Sequence, residues 1–529
     1  MSSIRERLIR MHKKILEGVQ EEILSYMGRI TPELQKYLDD YDQDFKAYQK
    51  TISKKDLISE IQKADIVYSG DYHTFVQSQK IPIRILREVV KRKKKIILGI
   101  EMVMSQHQVA LDEYLNANIT ETEFLEDIEY ERLWGFQWEH FKPIFEFAKE
   151  HHLKMVALNH RPKEKKRSGI SELTTRDTWA AKIIARTALE NPGTLLVVIF
   201  GDLHLAQNHL PLQVSIALKH KHKKIKTLTL HQNNEKLYWK LVKKGVEHKV
   251  DIVKLKKDAY CITNAPPWLK LQSYVHWIEK PEHYDQIYQI IKVITQFIDL
   301  KMKGLEDYHV YTAEEKKYLN LITSYFEDDP AAQKRLKEIL QKAESFFVPS
   351  ENFIYLKKMS VNHAAEEATI FIYTTHTGYT AYPESIEAFF YENLYLRTLG
   401  FLGSKIMNPK RRCEKEQDFT LHKNDPSAKI VRTFLRRLRH YMKGYPFNAT
   451  LPAALKRSPW LCFHVSKALG HMLGEKLYQA LQSNRLSHND VLKLFEAKLK
   501  FHAAIEAYLY WSKKLFKIKS KYQSKQDRL

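Results

Sequence analysis

Short apolar runs alternate with amphipathic stretches between about residues 64 and 231. Five runs have the length and β-branched content of buried strands: Asp65–Ser69, Ile96–Ile100, Met155–Leu158, Leu195–Phe200 and Lys226–Leu230. The stretches between them show the three- to four-residue apolar spacing of helices. Because crossover helices join parallel strands, the pattern predicts an α/β domain over residues 61–265, with a mainly parallel sheet flanked by helices.

The regions on either side of this domain have helical spacing. Residues 1–60 are predicted to form an N-terminal helical leader, in which Thr31 caps a helix that begins at Pro32. The pair Pro266-Pro267 marks a boundary, because two prolines cannot lie inside a helix or a central strand. Residues 266–529 are therefore predicted to form an all-α domain of unknown role. Its helical patterns include 313–326, 352–373 and 489–518.

Polar side chains follow the predicted strands at the ends where a parallel sheet binds ligands. They are Asp71 and His73, Glu101, Asn159 and His160, and Asp202 and His204. Two of these sites share the order Gly-Asp-x-His, which begins at Gly70 and at Gly201. Composition alone predicts about 0.1 occurrences of Gly-acid-x-His in a chain like this one. The repetition therefore indicates one shared site at the carboxyl ends of the strands.

The residue types at this rim fit a metal centre. His73, Glu101 and His204 would supply two imidazoles and a carboxylate, a common set of ligands that leaves a position open for water or substrate. Asp71 and Asp202 would orient the imidazoles or act as general bases. A turn with a helix cap explains the same glycines and acids without any chemistry, so both interpretations stay open here.

Charge and cysteine content bound the location and the partners. The net charge is +23, and the three cysteines are scattered, which fits a reducing cytoplasm better than a disulfide framework. The sequence predicts neither a signal peptide nor a membrane span. The stretch 429–442 is a basic amphipathic helix, which would allow contact with an anionic surface. A non-catalytic basic interaction protein is thus one of the functions that stay open.

The motifs GDYH, LGIEM, FEFAKEHHLKMVALNHR, RDTWAAKI and VVIFGDLH occur in this order between residues 60 and 230. In this order they resemble the ChaN-like haem-binding uptake family of the Tiki superfamily. The resemblance implies a haem-binding or iron-handling protein, with haem held through a tyrosine. The tyrosine is not identified among the 29 in this chain, and Tyr72 is a candidate by position only.

The Tiki branch of the superfamily implies a different chemistry. There the two Gly-x-x-His motifs and a Glu form the site of a metal-dependent protease, which carries over to His73, His204 and Glu101. Arg176 matches the first residue of the family's Arg-Asp pair and is a supporting residue. The cofactor is therefore expected to be haem or a divalent metal. If the protein is an enzyme, we expect a metal-dependent hydrolase acting on peptide or ester bonds.

Overall fold

A computed structural model describes most of the chain: residues 3–28, 30–92, 95–160, 172–219, 225–312, 324, 328–342, 345–379, 384–421, 425–518 and 529. The chain divides into two compact units. One unit consists mainly of Leu16–Lys280, and the other of Pro281–Gln526 together with Met1–Ile15. Among the described residues, no helix combines the length and the hydropathy needed to cross a bilayer.

Strands and helices alternate through the first 280 residues. The described helices there are α1 (Ile4–Met27), α2 (Pro32–Gln43), α3 (Lys54–Gln62), α4 (Val76–Val90), α5 (Gln108–Leu115), α6 (Glu121–Asp127), α7 (Tyr130–Leu133), α8 (Trp138–Glu150), α9 (Glu172–Glu190), α10 (Leu210–Leu218), α11 (Glu235–Lys243) and α12 (Pro267–Glu279). The described strands are β1 (Lys50–Thr51), β2 (Ile66–Asp71), β3 (Ile96–Met104), β4 (Lys154–Asn159), β5 (Leu195–Gly201), β6 (Thr227–Gln232), β7 (Ile252–Lys256) and β8 (Ala259–Ile262).

These strands form one sheet in the order β1-β7-β8-β6-β2-β5-β3-β4. The five predicted strands are β2 to β6; they lie side by side and pair in parallel, as do β6 and β8. The predicted fold class, a mainly parallel sheet flanked by helices and followed by a helical region, is confirmed. Strands β1, β7 and β8 were not predicted. Of these, β7 pairs antiparallel with both of its neighbours.

Strand β5 lies in the middle of the sheet and is buried along its whole length. Its alternate residues pack on opposite faces. Ile199 belongs to the apolar cluster that contains Leu86 of α4, whereas Phe200 belongs to the cluster that contains Ile184 of α9. Helices therefore cover both faces, which explains why the strand is a continuous apolar run instead of an alternating one.

The second unit is mainly helical. Its described elements are α13 (His283–Ile298), β9 (His309–Thr312), α14 (Pro330–Lys342), β10 (Phe346–Val348), β11 (Phe353–Leu356), α15 (Val361–Thr377), α16 (Ile386–Met407), α17 (Glu416–Leu421), α18 (Pro426–Met442), α19 (Ala453–Arg457), α20 (Pro459–Gln482), α21 (His488–Glu496) and α22 (Phe501–Lys514). A small sheet in the order β10-β11-β9, which the sequence pattern did not predict, accompanies the helices.

Two helical predictions in this unit differ from the structure, and one mostly lies outside it. The predicted helix over 352–373 is wrong in its first part, because Phe353–Leu356 form β11 and α15 begins at Val361. A short apolar run such as FIYL fits either element by its spacing. The pattern over 489–518 covers two helices, α21 and α22. Of the stretch 313–326, only residue 324 is among the described residues.

The basic helix α18 packs through its apolar face. Ile430 and Phe434 are buried in the core of the second unit. Of its arginines, Arg439 pairs with Glu416, and Arg437 donates a hydrogen bond of 2.6 Å to the backbone oxygen of Thr450. This is the ordinary arrangement of an amphipathic helix. Contact of residues 429–442 with an anionic surface stays a prediction.

Candidate functional site

The carboxyl ends of β2, β5 and β3 form the part of the rim that carries the predicted residues. Strand β5 lies between the other two, with Gly201 paired to Asp71 and Ile199 paired to Ile100. Glu101 follows Ile100 within β3, and a 3₁₀ turn over Asp202–Leu205 follows β5 directly. Since all three strands run in the same direction, their last side chains meet at one edge.

Three of the predicted side chains surround Gly201. A Cβ atom added there would lie 3.3 Å from Oε2 of Glu101, 3.3 Å from Cδ2 of His204 and 3.4 Å from Cε1 of His73. Nε2 of His73 lies 3.9 Å from Oε2 of Glu101. The small residue at the end of β5 therefore gives the three side chains room to approach one another.

Glu101 is buried and is held on both of its oxygens. Arg176 donates to Oε1 at 2.5 Å, and the backbone nitrogen of Gly201 donates to Oε2 at 2.6 Å. Burial by itself would raise the pKa of Glu101, but the charges of His73, Arg176 and His204 outweigh it and lower that pKa below its ordinary value. Glu101 is thus an ionised carboxylate in a fixed direction.

His73 is held by the aspartate two residues before it. Its Nδ1 donates to Oδ2 of Asp71 at 2.8 Å, and Gln79 donates to the other oxygen of Asp71 at 2.5 Å. Burial by itself lowers the pKa of His73, but the hydrogen bond to Asp71 and the charge of Glu101 outweigh it, so this pKa lies above its ordinary value. Burial raises the pKa of the Asp71 carboxyl, and the bond from His73 opposes the rise.

His204 is held by a different aspartate from the one in its own motif. Its Nδ1 lies 2.7 Å from Oδ1 of Asp177, the residue after Arg176 on α9. The hydroxyl of Tyr37, from α2, donates to Oδ2 of the same carboxylate. Arg176 and Asp177 therefore act on two different members of the rim, since one pairs with Glu101 and the other with His204.

Asp202 turns away from His204 and lies against Gly70. A Cβ atom added to Gly70 would lie 2.8 Å from Cγ of Asp202, and its Oδ1 would be closer still. The carboxylate accepts hydrogen bonds from the hydroxyl of Tyr41 and, at 3.2 Å, from Nδ1 of His231. Each motif glycine thus makes room for side chains from a neighbouring strand or its end, which are Glu101 and His73 at Gly201 and Asp202 at Gly70.

The pair Asn159 and His160, predicted as supporting residues, lies beside Arg176 at the end of β4. The side-chain oxygen of Asn159 accepts from Nε of Arg176 at 3.2 Å and from the backbone nitrogen of His160 at 2.8 Å. The imidazole of His160 stacks on the indole of Trp179 with ring centroids 4.0 Å apart. Burial lowers the pKa of His160.

A cavity of about 420 Å³ opens at this rim. His73 forms part of its inner wall, and the rings of Trp134 and Phe136 lie 4.5 Å and 4.9 Å from the His73 ring. The lining residues in the described part of the chain are His73, Met104, Arg132, Leu133, Trp134, Phe136, Asn159, His160, Glu172 and Arg176. The cavity therefore combines aromatic walls, two imidazoles and two guanidinium groups.

Residues 57–175 match the model of the family described as haem-binding uptake, Tiki superfamily, ChaN. The resemblance expected from the motifs is confirmed for this segment. The match includes β2, β3 and β4 and ends just before Arg176, so β5 and its Gly-Asp-x-His motif lie beyond it.

Two solved structures are similar to the chain. One, titled "Cofacial heme binding to ChaN of Campylobacter jejuni", has 16% sequence identity and a TM-score of 0.29, and the match covers 40% of this chain and 92% of that chain. The other is RRSP, a MARTX toxin effector domain from Vibrio vulnificus CMCP6, with 16% identity and a TM-score of 0.26. That match covers 42% of this chain and 45% of that chain. No curated protein matches the chain.

The ChaN-like segment does not offer a tyrosine to the cavity. None of the described residues that line it is a tyrosine, and Tyr72 lies with its ring 5.2 Å from Nζ of Lys270. The imidazoles of His73 and His160 are the lining groups that suit iron. Within the described part of the chain, no group of three or more His, Cys, Asp and Glu residues is arranged to hold a metal ion.

Several residues of the rim were not predicted from the sequence. For Asp177, the only indication in the sequence was its place in the Arg-Asp pair. Trp134 and Phe136 follow no predicted strand, so nothing in the sequence placed them at the rim. Tyr37 and Tyr41 come from the segment predicted as a leader. These two tyrosines lie one helical turn apart in a helix with a capped start, so the sequence indicates that they share a face. It does not indicate their partners, which are far away in the chain.

Proposed function

We propose that the rim cavity binds haem, or a closely similar planar cofactor that carries carboxylates. The observation that carries the proposal is the lining of the cavity by aromatic rings, imidazoles and guanidinium groups. The rings of Trp134 and Phe136 are nearly perpendicular, so a flat ligand would pack on the face of one and against the edge of the other. The guanidinium of Arg132, which pairs with Glu129, suits a propionate. The volume lies within the range of small-molecule sites. The description of the matched family, which names haem, supports the same ligand.

In this proposal, His160 would hold the iron of the haem. The lowered pKa keeps its imidazole neutral at pH 7, so a ring nitrogen has a free electron pair for iron. His73 is the less suitable ligand, because its raised pKa favours the protonated ring. Bound haem would supply a redox-active iron, and the residues of this chain would orient the ring and limit the access of water.

Haem titration followed by the Soret band tests this proposal. We expect saturable binding to the full-length protein, weakened at least about ten-fold by His160→Ala, since the imidazole that would hold the iron is lost. His502→Ala serves as a matched control, because that histidine is exposed and lies in the helical unit. Lack of saturable binding, or equal affinity of the two variants, would contradict the proposal.

Hydrolysis is the second candidate function, and the convergence of side chains on Gly201 favours it. Both His73 and His204 bind an aspartate through Nδ1, so each presents Nε2 for proton transfer or for a ligand. One imidazole would take a proton from water while Arg176 stabilises the developing negative charge. Metal binding by His73, Glu101 and His204 stays a prediction, because no three such side chains among the described residues are arranged to hold a metal ion.

Chromogenic peptides and esters, assayed with and without a chelator, test the hydrolase. Metal analysis of the purified protein accompanies the assay. We expect activity that falls at least about 100-fold in His73→Ala, Glu101→Gln and His204→Ala, because these side chains act as one unit. A loss of activity with chelator identifies the metal-dependent form. Activity that survives all three substitutions would exclude this site as its source.

Two further expectations concern the location of the protein in the cell and the surface of α18. A cytoplasmic location is supported by three cysteines that are all free and buried. Contact of α18 with an anionic surface is supported by its exposed Arg436. Cell fractionation tests the first expectation. The contact of α18 is tested by binding to an anionic surface, which should weaken with salt and be lost on charge reversal at Arg436.

A further inference from the structure

Helix α2 lies outside the segment that matches the family, yet it reaches the carboxylates behind the rim. Tyr37 and Tyr41 are buried and lie one turn apart, so both side chains leave the same face of the helix. Tyr37 donates to Asp177, and Tyr41 donates to Asp202. We propose that Tyr37 is a positioning residue that, through Asp177, holds His204 in the tautomer and direction that the rim site requires. This inference rests on the proposed role of His204.

The contacts around Asp177 determine the tautomer of His204. An ionised carboxylate only accepts hydrogen bonds, so Nδ1 of His204, at 2.7 Å from Oδ1, must carry the proton. In the neutral ring, Nε2 then has the free electron pair. No hydrogen bond to Nε2 is found among the described residues, and the neighbouring Cδ2 lies next to Gly201 at the centre of the rim.

Tyr37 occupies the other oxygen of this carboxylate. With Tyr37 on Oδ2 and His204 on Oδ1, rotation of the Asp177 side chain would break both bonds together. Without the tyrosine hydroxyl, the carboxylate can rotate and offer either oxygen to His204. The hydroxyl also lies 3.5 Å from Nδ1 of His204, so it closes the space behind the imidazole.

The ring of Tyr37 is itself fixed in place. It stacks on His209 with centroids 3.5 Å apart and an interplanar angle of 16°. His209 in turn donates from Nδ1 to the backbone oxygen of Leu203 at 2.8 Å, which ties it to the turn that carries His204. A hydroxyl on a stacked ring points in one direction, which is the property that a positioning residue needs.

Long-range nitrogen NMR of the ¹⁵N-histidine-labelled full-length protein tests the proposal. The His204 signals are assigned by their loss in His204→Gln. We expect neutral His204 to carry its proton on Nδ1 in the wild type and to become a mixture of tautomers in Tyr37→Phe. That variant keeps the stacked ring and removes only the hydroxyl. Tyr41→Phe and Thr31→Ala are the matched controls, because they perturb the same helix without touching Asp177.

The outcomes separate positioning from simple structural support. Three results would each overturn the proposal. They are a proton on Nε2 of His204 in the wild type, a single tautomer of His204 in Tyr37→Phe, and the same mixture of tautomers in Thr31→Ala. If Tyr37→Phe does not fold, the wild type still tests the geometry on which the proposal rests, because a proton on Nε2 of His204 overturns it. A cross-peak between the Tyr37 hydroxyl proton and the Nδ1 proton of His204 supports the proposal, and its absence overturns it. The signals are read without any ligand, so failure of haem binding or hydrolysis leaves this test intact.

Discussion

Adding one methyl group at Gly70 should destabilise the first unit, because the small group displaces the buried carboxylate of Asp202. In Gly70→Ala the new Cβ would meet Oδ1 of Asp202 and lie 2.8 Å from its Cγ and 3.2 Å from its Cβ. The carboxylate must move, and its bonds from Tyr41 and His231 weaken. Overpacking costs about 1–3 kcal/mol, and each lost hydrogen bond costs about 1 kcal/mol. We expect the free energy of unfolding of the first unit to fall by about 2–4 kcal/mol.

Thermal unfolding checks this expectation. A domain of this size loses about 2–4 °C of Tm per kcal/mol, so the transition of the first unit should fall by about 5–15 °C. Gly18→Ala is the matched control, because Gly18 lies in helix α1 with no atom within 4 Å of the added Cβ. That control should be stabilising by about 0.5–1 kcal/mol.

A double-mutant cycle with Asp202→Ala locates the cause. Removing the carboxylate leaves the added methyl group fewer atoms to displace, so Gly70→Ala should cost less in the Asp202→Ala background. A coupling of about 1–3 kcal/mol is expected for side chains in contact. Additive effects of the two substitutions would refute a clash between the added methyl group and Asp202. A Tm of Gly70→Ala that is no lower than the Tm of Gly18→Ala would refute it as well.

Three further predictions concern α2, Glu101 and His73. Thr31→Ala removes the side chain that accepts from the backbone nitrogen of Leu34, so it should lower the unfolding free energy by about 1 kcal/mol, whereas Thr31→Ser should restore it in the same thermal assay. Arg176→Met leaves Glu101 buried without its arginine and should cost about 3 kcal/mol. Because the pKa of Glu101 is lowered by folding, the stabilising effect of the ion pair is complete above about pH 4.5 and is lost as pH falls through the lowered value. The loss of Tm should therefore shrink below about pH 4.5, and a loss independent of pH would contradict this. The pKa of His73 is raised by folding, so its stabilising effect is complete below about pH 6.5 and is lost as pH rises through the raised value. The Tm difference between wild type and His73→Gln should therefore decrease from pH 5.5 to pH 9, and a difference that grows with pH would be inconsistent with it.

Local chemistry made the sheet predictable. The run from Leu195 to Phe200 is apolar at every position, which suits a strand that is covered on both faces, and Gly201 ends it. The rule that parallel strands present their carboxyl ends at one edge was enough to place His73, Glu101 and His204 near one another. No comparable rule covers β7 and β8, because a short antiparallel pair at the side of a sheet has weak periodicity.

The aspartate that binds each histidine was not readable from the sequence, because it depends on which chain segments pack together. Each motif carries an aspartate two residues before its histidine, and the sequence treats the two alike. Asp71 does support His73, whereas Asp202 bonds to Tyr41 and His231, and Asp177 takes the place beside His204. The difference arises because the 3₁₀ turn after β5 carries His204 toward α9.

The five strands β2 to β6, the fold class and the approach of His73, Glu101 and His204 to one another were thus readable from the chain, because each depends on a few neighbouring residues and on one general property of parallel sheets. The tyrosines behind the rim and the aromatic walls of its cavity were decided only by packing. Tyr37 and Asp177 are 140 residues apart, and Tyr41 and Asp202 are 161 apart. Contacts of that separation leave no periodic signal in the sequence. They form when the sheet, α2 and α9 bury their apolar faces together and bring hydroxyls and carboxylates into reach.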